Sequence, residues 1–298
     1  MAIAESQLET WSSVGSVTQS SQTYATVKLA LESKDAAYKD RSYSCFLQGS
    51  YGNDTNVYSD SDVDVVIKMQ DIFYYDTSRM TPVDLAAFNQ SLTGGGGYSY
   101  DQFRGEVTAI LQKRFGTDAS PDKKVIWVKP NAGRRNTDVL PAVQFRRYYR
   151  YTGSASDYAE GICFWPTGGA RVENFPKQHS ENLTTKHQNT SSRFKPTVRV
   201  WKNIRNRMTE KGLIKDGLAP SYYLEGLLYN VPNEHFVQSR VQTFVNCFNW
   251  IYASKREDLV CANNMFWLLR DNQATSWSPP SCETFLAEAL KFWNNGGT

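Results

Sequence analysis

Apolar residues change their spacing along this chain, from short alternating runs in the first 175 residues to recurrences every three or four positions afterwards. The amino-terminal stretch is the exception. Leu8, Trp11 and Val14, then Tyr24, Val27, Leu29 and Leu31, partly follow a helical period, and Gly15 between them leaves one long helix or two short ones open. Residues 43–49 and 63–69 predict strands, separated by a polar stretch at 50–61 that predicts a helical turn and a loop. Phe103, Val107, Ile110 and Leu111 predict a helix, preceded by the run Gly94 to Gly97, which predicts a flexible loop. That run lacks the following Lys-Ser/Thr of a P-loop, so it is not assigned to phosphate. Residues 124–128, 138–146 and 159–165 predict further strands, the last returning through Thr167-Gly168-Gly169 into 170–175 as a hairpin. Helical spacing then marks 197–208, 222–229, 237–253, 265–269 and 282–293, with Phe244, Phe248, Ile251, Tyr252, Trp267, Phe285 and Trp293 as the core of those helices.

Strands followed by helices predict an α+β fold of two lobes. The expected division is 1–175, a mixed-sheet lobe, and 176–298, a helical lobe, with the amino-terminal helix able to span both. With 40% apolar and 21% charged residues the composition is that of a globular protein. No apolar run approaches the roughly 20 residues of a membrane span, and no basic leader precedes one, so a cytoplasmic protein is expected. Five scattered cysteines without a Cys-x-x-Cys pair, and three histidines away from them, give neither a disulfide framework nor a zinc site. A net charge of +3 does not mark a dedicated nucleic-acid binder, although it allows a local basic cleft.

The chemistry concentrates in Gly49-Ser50-Tyr51-Gly52-Asn53-Asp54-Thr55 and Ser61-Asp62-Val63-Asp64-Val65-Val66-Ile67. Strand residues two apart share a face, so Asp62 and Asp64 project together while Val63, Val65 and Ile67 face the core. Adjacent carboxylates repel unless a cation joins them, and hard oxygen ligands suit magnesium. The Gly-Ser turn upstream offers backbone N–H groups and a hydroxyl to phosphate oxygens. Asp60 continues the alternation, and Asp62 with Asp64 is preferred because the apolar run begins at Val63. An edge strand with a solvated face is the plain alternative for Asp-x-Asp alone. A third carboxylate, Asp138, leads the run Val139-Leu140-Pro141-Ala142-Val143, where Pro141 argues for a bulge or a strand end.

Gly-Ser, a spacer, an Asp-x-Asp strand and a later Asp resemble the polymerase-beta type nucleotidyltransferase superfamily. More narrowly, Leu47-Gln48-Gly49-Ser50-Tyr51-Gly52-Asn53-Asp54-Thr55, Ser61-Asp62-Val63-Asp64, Asp138-Val139-Leu140-Pro141-Ala142 and Asn174-Phe175-Pro176-Lys177-Gln178-His179 resemble the bacterial CD-NTases, the cGAS/DncV-like enzymes. The resemblance covers nearly the whole chain. It implies a two-lobed polymerase-beta-like nucleotidyltransferase with its active site in the cleft and two magnesium ions on Asp62, Asp64 and Asp138. It further implies ATP and/or GTP as substrates, and a cyclic di- or trinucleotide second messenger that acts on a separate effector protein in anti-phage (CBASS) signalling. A guanine-containing cyclic dinucleotide is the form it favours.

Nucleotide contacts are expected from Gln48, Gly49 and Ser50, and from the helical lobe. Lys195, Arg199 and Lys202 fall on one helix face, a solvated stripe being the plain alternative. Similarity to the family points to Lys202 as a phosphate ligand, with Ser221 supplying a hydroxyl and Tyr222 a ring for a base; Tyr222 as core stays open. Lys186 and Arg199 complete the set. The chain lacks the cysteine cluster of the animal DNA sensor in this family, so direct DNA sensing is not expected. The Asn294-Asn295-Gly296-Gly297-Thr298 end reads as a flexible tail, and some CD-NTases are conjugated to other molecules through theirs. The competing readings are a template-free enzyme with linear products, a protein nucleotidylylator, and a nucleotide- or RNA-binding pseudoenzyme.

Overall fold

Gly15 does break the amino-terminal periodicity, giving α1 (Glu5–Ser12) and α2 (Thr18–Leu31) in a computed structural model that describes residues 2–15, 17–58, 62–92 and 97–298. A Cβ at Gly15 would lie 2.6 Å from the carbonyl oxygen of Val57, so the chain turns there under a close backbone approach. Gly94, Gly95 and Gly96 of the glycine run, with Asp60 and Ser61, lie outside the described residues.

Contacts group the chain into two compact units. One comprises Thr18–Gln48 and Ser61–Pro176, the other Met1–Val17, Gly49–Asp60 and Lys177–Thr298. Against the contiguous division expected from sequence, two early segments therefore group with the late helices.

The first unit holds, among the described residues, a seven-stranded mixed sheet: β1 (Tyr43–Gln48), β2 (Val63–Asp76), β3 (Ala119–Pro121), β4 (Ile126–Val128), β5 (Thr137–Tyr151), β6 (Ser156–Phe164) and β7 (Val172–Asn174). The order is β1-β2-β5-β4-β3, with β6 on β5 and β7 on β6. β2 and β5 run parallel, and every other pair is antiparallel. Val63, Val65, Ile67 and Met69 alternate along one face of β2 and are fully buried, as the period predicts. α2 and α5 (Tyr100–Phe115) pack on the sheet. Sequence periodicity missed α4 (Pro82–Ser91), whose apolar residues are spread around the helix with only Phe88 buried; Thr81 caps it by accepting the Asp84 N–H. Pro141 sits in mid-strand without a bulge, paired in register with Ile67. On the other edge of β5, β4 pairs as far as Val139 and β6 begins at Val143. The proline falls in the interval where neither neighbour runs, and its neighbours end there rather than β5 itself.

The second unit contains α1, the one-turn α3 (Gly49–Gly52), α6 (Pro176–Asn189), α7 (Phe194–Glu210), α8 (Ser221–Asn230), α9 (Arg240–Ala253) and α10 (Pro279–Asn294). Trp201, 1% exposed, lies against the rings of Phe244, Phe248 and Phe285. Two of the expected core aromatics are instead surface residues, Tyr252 at 66% and Trp267 at 46% exposed. Residues 265–269 are not helical either: Trp267 bridges to Val260 and Leu269 to Trp277, so Leu268 and Leu269 are buried from an extended strap. The carboxyl end is not a loose tail. Gly296 and Gly297 adopt φ of 70° and 81°, and their N–H groups close on the carbonyls of Trp293 and Phe292, the Schellman pattern that ends a helix.

Amid this apolar core lies a charged cluster. Glu225, 2% exposed, accepts hydrogen bonds from Thr55 Oγ1 (2.5 Å), Asn53 Nδ2 (3.3 Å) and His179 Nε2 (2.7 Å). Burial alone would raise its carboxyl, but His179, Lys202 and Thr55 outweigh it and hold the group below the usual 4.5. A depressed carboxyl contributes stability above its unfolded pKa, and that contribution is lost as pH falls. Two outcomes follow. The urea midpoint should fall as pH drops below about 4.5, and Glu225→Gln should flatten that acid dependence. Trp201→Ala should cost about 3–5 kcal/mol in the same denaturation assay, because the ring leaves a cavity among aromatics that cannot all collapse into it.

Candidate active site

β1, β2, β5 and β4 are in register across one line of the sheet, and that line carries Gln48, Asp64, Asp138 and Trp127. Gln48 pairs with Asp64, Asp64 with Asp138, and Asp138 with Trp127. Registered partners share a face, so the alternation that buries Val63, Val65 and Ile67 brings both aspartates to the opposite side. Beyond them on that face Val66, Ala142 and Ile162 form a small apolar cluster with Phe46 and Leu140.

Asp62 precedes β2 and is placed by Asn136, which precedes β5. The Asn136 carbonyl accepts the Val63 N–H (2.9 Å), and its Nδ2 donates to Asp62 Oδ1 (2.8 Å). Its Oδ1 accepts from Trp127 Nε1, which fixes the amide's orientation. The loop ahead of it is braced by Arg134, whose guanidinium donates to the Lys129 carbonyl and pairs with Asp118 at 3.0 Å. Sequence reasoning missed Asn136. A lone loop asparagine has no periodic signal, and its role appears only when two strands are aligned.

These groups suit a divalent cation. Asp62, Asp64 and Asp138 offer hard oxygen ligands. The Asp138 carboxyl is pushed above its usual range by burial first, then by the negative charges of Asp62 and Asp122. An acidic group surrounded by acidic groups is relieved by a cation. Among the described residues Gln48 Oε1 is a buried acceptor without a hydrogen-bond partner. No three or more His, Cys, Asp or Glu side chains among the described residues are preassembled around one point.

Gly49 follows Gln48 directly and takes φ of 66°, a left-handed conformation open to glycine. The Gly49 and Ser50 carbonyls accept the N–H groups of Asn53 (3.0 Å) and Thr55 (2.9 Å), closing a compact turn.

The helical-unit residues divide differently from the expectation. Lys202 is fully buried and donates Nζ to the Thr55 carbonyl (3.1 Å). Arg199, 6% exposed, donates to the carbonyls of Ser12 (2.6 Å) and Asp54 (2.9 Å). Lys186 donates to the Val231 carbonyl over the Phe236 ring, and burial lowers its pKa. On the basic face of α7, Arg199 and Lys202 are thus enclosed and engaged by backbone oxygens, as is Lys186 on α6, while Lys195 approaches the Asp54 carboxylate at 3.9 Å. Ser221 begins α8, its Oγ accepting from Arg205 at 3.4 Å. Tyr222 is stacked on His179 (4.8 Å between centroids, 17°) and its hydroxyl accepts from Asn263, an arrangement of core packing.

The cGAS/DncV-like nucleotidyltransferase C-terminal helical domain matches residues 181–294. The cyclic dipurine nucleotide synthase of Elizabethkingia meningoseptica is 33% identical over 99% of this chain and 98% of its own length. The cyclic UMP-AMP synthase of Rhodothermus marinus is 33% identical over the full length of both chains. The solved structure of the Rhodothermus marinus c-UMP-AMP synthase with Apcpp and Upnpp superimposes with a TM-score of 0.88 at 31% identity, over 99% of this chain and 98% of that one. With a registered carboxylate row on a mixed sheet, and relatives matched from end to end, the chain belongs to the cGAS/DncV-like nucleotidyltransferases.

Proposed function

We propose that the protein joins nucleoside triphosphates into a cyclic oligonucleotide, a cyclic dinucleotide being the expected form, using the carboxylates at the head of β2 and β5. The observation that carries this reading is the alignment of Asp64 with Asp138 beside an Asn136-held Asp62. The relatives' activities support the cyclic product. The family resemblance favours ATP and/or GTP as substrates, and similarity to a cyclic UMP-AMP synthase supports UTP as a further candidate.

Asp62, Asp64 and Asp138 are assigned as the ligands of two magnesium ions. Divalent cations there supply Lewis-acid polarisation of the phosphate oxygens and stabilise the charge of the leaving pyrophosphate. The chain's own groups do the rest. Asp138 receives the proton of the attacking ribose hydroxyl on a carboxylate oxygen, as the hydroxyl oxygen bonds to the α-phosphorus and the bond to pyrophosphate breaks. Asn136 keeps Asp62 turned to its task. Gly49 and Ser50 present backbone N–H groups and a hydroxyl to the triphosphate, with Gln48 beside them and Ser221 as a further hydroxyl. The linear product then turns, and its free hydroxyl repeats the attack to close the ring. Lys202 and Arg199 contribute through Thr55 and Asp54, whose carbonyls they hold.

The product is assigned to a separate effector in cytoplasmic anti-phage signalling. The Gly296-Gly297-Thr298 end is a site for conjugation once its helix cap opens.

The test is incubation with all four labelled nucleoside triphosphates and magnesium, then phosphatase and mass spectrometry. A phosphatase-resistant species at the mass of a closed di- or trinucleotide is expected, and phosphatase-sensitive chains alone would replace cyclase by a linear polymerase. Asp62→Asn combined with Asp64→Asn should abolish product with an unchanged melting curve; synthesis near the wild-type rate would remove the carboxylates from the mechanism. Asn136→Ala should lower activity roughly 10–100-fold and shift the magnesium requirement upward, as loss of a group orienting a metal ligand does.

A further inference from the structure

His179 and Glu225 lie outside the carboxylate row, yet the helical unit commits its most costly buried groups to them. The Glu225 carboxylate joins Thr55 Oγ1, Asn53 Nδ2 and His179 Nε2. A carboxylate only accepts, so the imidazole donates from Nε2, and its Nδ1 is buried without a partner. Lys202 grips the Thr55 carbonyl and Arg199 the Asp54 carbonyl. Asp54 itself takes φ of 57°, unusual for a residue with a side chain. Three successive residues, Asn53, Asp54 and Thr55, are thus held by side chains from α7 and α8, with His179 of α6 on the carboxylate.

Stability alone does not call for this. A buried ion network is commonly no better than an apolar core of the same volume, because desolvation offsets the attraction. What the network does specify is the course of the backbone. Thr55 N–H closes on the Ser50 carbonyl and Asn53 N–H on the Gly49 carbonyl, so fixing 53–55 fixes 49–50. None of these contacts uses the Ser50 hydroxyl.

We propose that Glu225 is a positioning residue for substrate, setting the Gly49-Ser50 turn in the conformation that receives the triphosphate, with His179 orienting the carboxylate. This rests on the reading of that turn as the phosphate ligand. The network acts through the turn, so its loss should weaken substrate capture more than turnover.

The experiment is a double-mutant cycle of Ser50→Ala and Glu225→Gln, with KM for nucleoside triphosphate, kcat and the melting curve measured for each protein. Ser50→Ala should raise KM about tenfold. Glu225→Gln should raise it to a similar extent with a smaller change in kcat, and the double variant should be no worse than the weaker binder of the two. A double-variant KM equal to the product of the two increases would overturn the proposal, because independent effects multiply. An unchanged KM in Ser50→Ala would overturn the phosphate reading of the turn itself, whatever Glu225→Gln does. Should Glu225→Gln fail to melt cooperatively, Thr55→Val, which removes one hydroxyl donor to the same carboxylate, takes its place in the cycle with the same expected coupling.

Discussion

Side chains two apart on a strand share a face, and strands in register bring those faces into rows. Here that constraint gathers Asp64 and Asp138 on adjacent parallel strands, with Asp62 tied in from the residue before β2. A one-residue slip between β2 and β5 would take Asp138 to the other face and expose valines in its place. Burial of Val63, Val65, Ile67 and Met69 is therefore what keeps the acidic groups together against their own repulsion. The apolar side of β2 maintains the geometry that its polar side uses.

Asp138 and Glu225 show one functional group driven in opposite directions. Both carboxyls lose solvation. Asp138 has acidic neighbours and is raised, whereas Glu225 is surrounded by an imidazole, an ammonium and a hydroxyl and is lowered. The first is a group that gains from an added cation. The second is already neutralised by the protein and has no such need. An acidic residue's role in this chain follows from its neighbours rather than from its depth.

The strands and most of the helices were legible because both depend on local period, whereas Asp138 stood out only through the resemblance to a known family. Alternation put Asp62 and Asp64 on one side of β2 without excluding Asp60, and apolar spacing gave the helices; residues 265–269 misled because Met265, Leu268 and Leu269 stand three and four apart, although a bridged strap rather than a helix buries the two leucines. Lys195, Arg199 and Lys202 were correctly placed on one face of α7, but sequence cannot tell a face turned to solvent from one closed over by a distant loop. Their partners, Asp54 and Thr55, lie some 145 residues away. Asn136 and Glu225 were invisible for the same reason, since each derives its meaning from a register or a contact that no window of sequence contains.

The interleaving of the two units has a consequence for how the chain acquires its structure. Thr18–Gln48 and Ser61–Pro176 can assemble while the remainder is still being synthesised. Met1–Val17 and Gly49–Asp60 emerge early, but their partners are in Lys177–Thr298, which leaves the ribosome after them. Until then Leu8 has no core to enter, and Asn53 and Thr55 have no carboxylate to bind. The Gly49-Ser50 turn is consequently among the last elements to be set, so a nascent chain can complete its sheet well before it is competent to hold a nucleotide.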